Sequence, residues 1–400
     1  MQRVVITGMG VVSPIGKDIN EFMHGIATAR QGISTIQNFN TEHFPSPFGA
    51  EVKINEVDSK LGTAIDRKTV FLEKALAELL SSFPNALHHY PPSNRLLNLG
   101  SGLDYFDLPG YVDSEDRKAG NWHDYSKNSY KAIERIALKY DIQGGINVNV
   151  SACVASNHAI GLSFRIQKQC PHKIIITGGM DSMLNPLHYM GFYKLGALSN
   201  WTGDPASACR PFDKNRSGLV LGEGAAVLLL QNEAEAEPEK ILAEIVGYSA
   251  SMDAYMVTDP QPDGTLLAKA AVNAIHEANI TPDEIDCVHL HGTGTPKNDP
   301  AEAHAMKLIF GDRYKEIPVF ALKGQVGHLI GACGAMEMLG VIYSLQTQQV
   351  PPTVNFVDAD PDIPLRVVVG KPLEMNIRYI LKLNAAFGGQ NSALVVKRVE

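Results

Sequence analysis

The chain has 400 residues, 44% of them hydrophobic, 20% charged and 7% aromatic, a composition that supports a large buried core and excludes a disordered or low-complexity protein. The 35 Lys and Arg against 43 Asp and Glu leave a net charge of −8, which excludes a globally basic surface for nucleic acid. No apolar run reaches spanning length, since Glu223 interrupts the greasiest stretch, 220–230. Taken in chain order, β-branched runs at 3–7, 146–150, 173–177, 225–230, 241–248, 287–290, 319–321 and 392–396 read as strands. They alternate with helical periodicity at 67–82, 128–140, 155–169, 265–278 and 301–310, an α/β pattern. The acidic, alanine-rich stretch 232–240 divides the chain into halves at 1–240 and 241–400. Five widely spaced cysteines without a CxxC pair argue against a disulfide framework or zinc ribbon and for a reducing cytoplasm.

The chemistry-bearing residues begin after the first strand, where GMGVVSPIG imitates a dinucleotide loop. Ser13 stands at the third glycine position and no acidic residue closes a second strand, so a nicotinamide site is not expected. In NVNVSACVASNHAIG, Cys153 sits between a strand and a helix, at an elbow whose free N–H groups favour a thiolate and can hold an oxyanion. A small buried hydrophobe is the competing reading. A base comes from VHLHGTGTPKND, where His291 ends a strand and enters a small-residue turn, with His289 on the same strand face. Lys323 and His328 lie in ALKGQVGHLIGACGAMEML, where Gly324, Gly327, Gly331 and Gly334 form one stripe if the segment is helical. Gly388 and Gly389 in LNAAFGGQNSALVV free backbone N–H groups for a site, or simply turn a hairpin.

These motifs, with RPFDKNRSGLVLGEGA at 210–225, fall in one order along the whole chain, and in that order the chain resembles the β-ketoacyl-(acyl carrier protein) synthases of the elongating Cys-His-His type. The resemblance implies a thiolase-like fold of two duplicated α/β halves in a five-layered αβαβα sandwich. It implies Cys153 as the acylated nucleophile and His291 and His328 as the pair that serves a malonyl thioester. Lys323 takes the place of the active-site lysine, with Glu337 as its buried partner. The backbone N–H groups of Cys153 and Phe387 would form the oxyanion hole, with Phe387 as a gate. Thr293, Thr295, Gly388 and Phe212 would line the substrate site. Arg67 and Lys68, at a helix start, match a basic pair that meets an acidic carrier protein. No metal or redox cofactor is implied; the substrates ride on the carrier's phosphopantetheine, and the chain pairs with itself or with a related ketosynthase-like subunit. Three departures bear on substrate: Ser156 follows the nucleophile where a glycine is usual, Gly100-Ser101-Gly102-Leu103-Asp104-Tyr105 alters a tunnel segment, and Ala385 replaces an aromatic residue. The last two point to longer or stiffer chains, such as polyenoyl groups, in fatty-acid or polyketide elongation. The alternatives are a non-catalytic chain-length-factor-like subunit, which would lack the nucleophile, and a thiolase-type acyltransferase, which would carry a second catalytic cysteine where this chain has Phe387-Gly388-Gly389.

Overall fold

The computed structural model describes residues 2–53, 66–84, 86–122, 125–126 and 128–399. Ten strands organise it: β1 (Val4–Val12), β2 (Arg95–Ser101), β3 (Ile146–Asn149), β4 (Ile174–Ser182), β5 (Leu221–Asn232), β6 (Ala243–Met252), β7 (Cys287–His289), β8 (Pro318–Phe320), β9 (Tyr379–Ala386) and β10 (Gln390–Lys397). In the first half β1 pairs antiparallel with β5 and β5 antiparallel with β4, while β4–β2 and β2–β3 are parallel. The second half repeats this: β6–β10 and β10–β9 antiparallel, β9–β7 and β7–β8 parallel. The duplication that single residues do not reveal is therefore plain in the strand order. The two first strands meet, Val4–Ile6 of β1 running antiparallel to Ala243–Ile245 of β6, which joins the arrays edge to edge.

Five helices complete the layers: α1 (Arg67–Ser82), α2 (Ala155–Gln169), α3 (Thr265–Glu277), α4 (Asn298–Phe310) and α5 (Cys333–Thr347). Helix α1 covers β1 and β5 on one outside, and α3, flanked by α4, covers β6 and β10 on the other. Between the sheets α2 packs on β2 and β4, α5 packs on β9, and the two helices touch each other. This is the five-layered sandwich. The layer each element occupies explains its sequence. Strand β5 lies between helical layers and is buried at every position, so it reads as a continuous apolar run rather than an alternation. Helix α5 is buried from Cys333 to Leu345 and correspondingly lacks a polar face. Helix α1 has one, and Asp66 caps its N-terminus by accepting from the Lys68 N–H at 3.3 Å.

Two of these ten strands escape sequence reading. The β2 segment, RLLNLGS, contains no β-branched residue, and β9 carries Lys382 and Asn384 inside an otherwise apolar run. The glycine-rich segment is also not one helix. A single turn at Lys323–Val326 stops at Gly327, whose φ of +70° reverses the chain, and a 3-10 turn at Ile330–Ala332 precedes α5. Its glycines serve close approach: a Cβ on Gly334 would lie 2.4 Å from the Asn157 backbone nitrogen in α2. Replacing Gly334 by Ala is expected to push the central helices apart and destabilise the fold by about 1–3 kcal/mol. Chemical denaturation of variant and parent checks this; equal midpoints would show that the layer yields freely.

Candidate active site

Cys153 lies in a 3-10 turn, Ala152–Val154, between β3 and α2, with Ala152 forced to a φ of +50°. The elbow read from the sequence is therefore real, and it leaves Cys153 buried, with 4% of its surface exposed. His291 follows β7 in the turn that leads to α4, and His328 follows the reversal at Gly327. The His328 backbone is pinned to β5 on both sides, its N–H donating to the Val220 carbonyl at 2.7 Å and its carbonyl accepting from Gly222 N–H at 3.0 Å. The Cys153 sulfur and one nitrogen from each histidine come within 4.8 Å of one another. The imidazole rings stand edge to face at 5.2 Å between centroids. A cavity of about 340 Å³ opens onto this trio, with Phe192, Thr293, Thr295, Ala385 and Phe387 in its wall.

Hydrogen bonds fix both imidazole tautomers. Nδ1 of His291 faces two donors, the Lys323 ammonium at 3.0 Å and the Asn384 amide at 3.0 Å. Nδ1 of His328 faces the Ile330 N–H at 3.1 Å and the Cys333 thiol at 3.2 Å. An acceptor Nδ1 on a neutral ring puts the proton on Nε2. Both rings are neutral: burial and then the Lys323 charge pull His328 down to about 3, and burial, Lys323 and His328 hold His291 well below its usual range. Two uncharged Nε2–H donors therefore serve the site. The same tautomers oppose a metal on the trio, because a histidine that ligates through Nε2 normally donates from Nδ1, and here Nδ1 accepts.

Behind the histidines lies a buried polar network. Glu337 of α5 bonds the Lys323 ammonium through one oxygen, and through the other Lys382 at 3.2 Å and the Asn384 amide at 2.7 Å. Lys382 also donates to Asn157 at 2.9 Å, and Lys323 to the His291 carbonyl at 2.5 Å. Burial would push the Glu337 carboxyl up, but the two ammonium groups hold it well below the usual carboxylate range. Burial lowers Lys382 to about 8 against the pull of Glu337. A further carboxylate, Glu302, accepts from the His291 and Gly292 N–H groups at 2.6 and 2.7 Å and shapes the turn beneath His291. Sequence reading missed Lys382 and Asn384. Their signal was polar residues two apart on one face of a buried strand, a pattern that packing alone does not favour.

Four expectations need correction. Lys68 cannot meet a carrier protein: it is fully buried, ion-paired with Asp104 at 3.1 Å and Asp66 at 3.5 Å, and donates to the carbonyls of Gly102 and Leu103. Arg67 is likewise turned inward, its guanidinium forked onto Glu223 and bonded to the Val52 carbonyl at 2.8 Å. Phe212 is fully buried in the core behind the site, its ring 3.0 Å from where a Gly292 Cβ would stand, and it is not in the cavity wall. Gly388 is not in the wall either; its N–H is taken by the Val257 carbonyl at 2.6 Å. The hairpin turn still serves the site, because the Phe387 N–H lies by the Cys153 sulfur and favours its thiolate. The Phe387 ring stacks on Phe192 at 6.3 Å, across the cavity wall. Finally, the thiol is not acidified. Burial pushes Cys153 up to about 12, against the pull of Lys323 and the Phe387 N–H.

At neutral pH the resting thiol is therefore protonated, and below a pKa near 12 each unit of pH raises the thiolate fraction about tenfold. Alkylation of Cys153 by iodoacetamide, followed by peptide mass analysis, should climb at that slope from pH 7 to 9. A plateau below pH 8 would mean that the helix start and Lys323 outweigh burial.

Residues 1–236 match the beta-ketoacyl synthase N-terminal domain and residues 242–357 its C-terminal domain. Among curated relatives, the chain is 31% identical to the 3-oxoacyl-[acyl-carrier-protein] synthase 2 of Synechocystis and 32% identical to that of Coxiella burnetii, in each case over 100% of this chain and 99% of the relative. Among solved structures, a beta-ketoacyl synthase from Burkholderia phymatum superposes with a TM-score of 0.88 at 28% identity. The ishigamide ketosynthase/chain length factor does so with 0.88 at 26%; each covers both chains fully. With its Cys-His-His trio assembled at the seam of two thiolase-like halves, this chain belongs to the beta-ketoacyl synthase family.

Proposed function

We propose that the protein is a 3-oxoacyl-[acyl-carrier-protein] synthase that joins an acyl group on Cys153 to a malonyl-carrier thioester, releasing CO2. The observation that carries this reading is the convergence of one buried thiol and two neutral Nε2–H donors on a single cavity. In the first half-reaction the Cys153 sulfur attacks the acyl thioester. The Phe387 and Cys153 N–H groups hold the oxygen of the tetrahedral intermediate, and the thiol proton leaves with the carrier's sulfur. In the second, His291 and His328 hold the malonyl thioester oxygen. Loss of CO2 leaves an enolate, whose carbon attacks the Cys153 thioester. The new carbon–carbon bond forms as the carbon–sulfur bond breaks, and the released thiolate takes one proton from solvent. Lys323 does not touch the reacting carbons; it donates to His291 and supplies positive potential beside the enolate oxygen.

The substrates arrive on acyl carrier protein. A second ketosynthase-like subunit, identical or related, is the proposed partner across the edge of β3, which among the described residues pairs only with β2 and is followed by Val150 at 59% exposure. All five cysteines are free, which supports a reducing, cytoplasmic setting, and among the described residues no helix is long and apolar enough to cross a membrane.

Incubating parent and Cys153→Ala with acyl-carrier thioester and weighing the products should show one acyl group on the parent and none on the variant. Replacing His291 or His328 by Ala should leave acylation of Cys153 while lowering malonyl decarboxylation about 100- to 1000-fold, the effect of removing one donor from a developing oxyanion. Acyl mass on the Cys153 variant, or histidine variants that condense normally, would overturn the reading.

Chain choice is proposed to lie at Ala385, which stands in the cavity wall beside the Phe192–Phe387 stack. Its small side chain leaves room for long or stiff acyl groups, such as polyenoyl chains of polyketide elongation. Filling it with Ala385→Phe should cost bulky substrates about 1–3 kcal/mol of acylation barrier and short saturated ones little. Timing acylation with three carriers of graded bulk tests this; equal slowing of all three would remove Ala385 from substrate choice.

A further inference from the structure

Ile330 has a φ of +44°, a left-handed conformation that a β-branched residue adopts only when its surroundings force it. It is the residue whose N–H donates to Nδ1 of His328 at 3.1 Å. The next N–H in the chain, that of Gly331, donates to the Asp181 carboxylate at 2.7 Å. Asp181 ends β4, on the opposite side of the seam from the segment that bears His328. Its side chain is fully buried, and its second oxygen accepts from the Ser182 N–H at 2.8 Å. The carboxylate has been given room there, since a Cβ on Gly102 would lie 2.2 Å from it. Burial pushes the Asp181 carboxyl up to about 7 against the pull of Lys68, the lysine turned inward from α1, which bonds the carbonyls of Gly102 and Leu103 beside it. A strained peptide, a buried carboxylate on its N–H, and a catalytic imidazole on the preceding N–H thus form one chain of contacts.

We infer that Asp181 is a positioning residue for the condensation half-reaction, holding the strained Ile330–Gly331 peptide so that the Ile330 N–H keeps His328 in its Nε2–H tautomer. The inference rests on His328 acting at the malonyl step. Asp181 touches no substrate, and acyl transfer to Cys153 does not require it. Asn at this position offers one oxygen for two N–H groups and turns an NH2 toward the other, so the peptide loses its anchor without loss of volume.

The test measures the two half-reactions separately in the full-length protein. Asp181→Asn should lower malonyl decarboxylation about 10- to 100-fold, the range for groups that orient a reacting residue, and leave acylation of Cys153 within about threefold of the parent. Two-bond 1H–15N correlations on protein labelled at histidine, with the His328 signal identified from His328→Ala, should change from a pure Nε2–H pattern to a tautomer mixture. If Asp181→Asn does not fold, Asp181→Ser, which keeps one small acceptor, carries the same measurements. Unchanged decarboxylation, or both half-reactions falling together with a pure His328 tautomer, would overturn the role. If His328→Ala itself decarboxylates normally, the assignment of His328 fails; if His328→Ala is inactive there while Asp181→Asn is not, the inference about Asp181 alone fails.

Discussion

One carboxylate bears most of the electrostatic load of this site. Glu337 is buried in the middle layer, and two lysines and an amide converge on its two oxygens. Neither Lys323 nor Lys382 could stay charged in that environment without it, because an unpaired buried charge costs several kcal/mol. With one negative charge against two positive ones, a positive potential remains at the histidines. Burial and that potential keep both rings neutral at physiological pH. Neutral rings with Nδ1 already engaged present N–H groups rather than lone pairs, which is what a developing enolate oxygen requires. The lysines thus act through the state they impose on the imidazoles.

The duplicated fold explains why these groups meet. Each half delivers one central helix after its second parallel strand, α2 after β3 and α5 after β8. Cys153 lies at the start of the first and Cys333 at the start of the second, so the two helix starts face each other across the seam. The first half's cysteine is the proposed nucleophile, while in the second the thiol is turned onto His328 at 3.2 Å. Glycines at 331 and 334 make the approach possible: each has a backbone atom of the facing half 2.4 Å from where its Cβ would stand. An alanine at these places separates the halves, and with them the thiol from the histidines.

The parts of this arrangement legible in the sequence are those in which backbone geometry demands a residue type. Cys153 at an elbow, His291 before a Gly-Thr turn, and His328 after a positive-φ glycine all carry such marks. The buried charges were less legible because a charged residue in sequence reads first as solvated surface. Lys68 shows the failure and its remedy. It opens a helix beside Arg67, which suggests an exposed basic pair, yet Lys68, Leu72, Ala75 and Leu79 share the buried face of α1. Read by period rather than by charge, it points inward. Lys382 and Asn384 yield to the same treatment on β9, where period two places both on one face. Asp181 carries no sequence mark at all, since its role depends on a peptide 150 residues away.

The protonated thiol has a consequence for how the halves of the reaction are coupled. A nucleophile already ionised at rest would need a proton from elsewhere each time a carrier thiolate departs. Burial keeps Cys153 protonated at rest, and in the proposed reaction that proton leaves with the carrier's sulfur. When the enolate later displaces the cysteine sulfur, the same burial makes the thiolate strongly basic, so it recaptures a proton and resists being re-acylated by the product. The apolar wall around the elbow, where Met183, Leu184, Tyr189 and Ile330 pack with Cys153, is what sets this basicity. None of these four side chains stands in the wall of the cavity, which Phe192, Ala385 and Phe387 form, so the packing that sets the thiol's basicity and the wall proposed to meet the substrate are different groups of side chains.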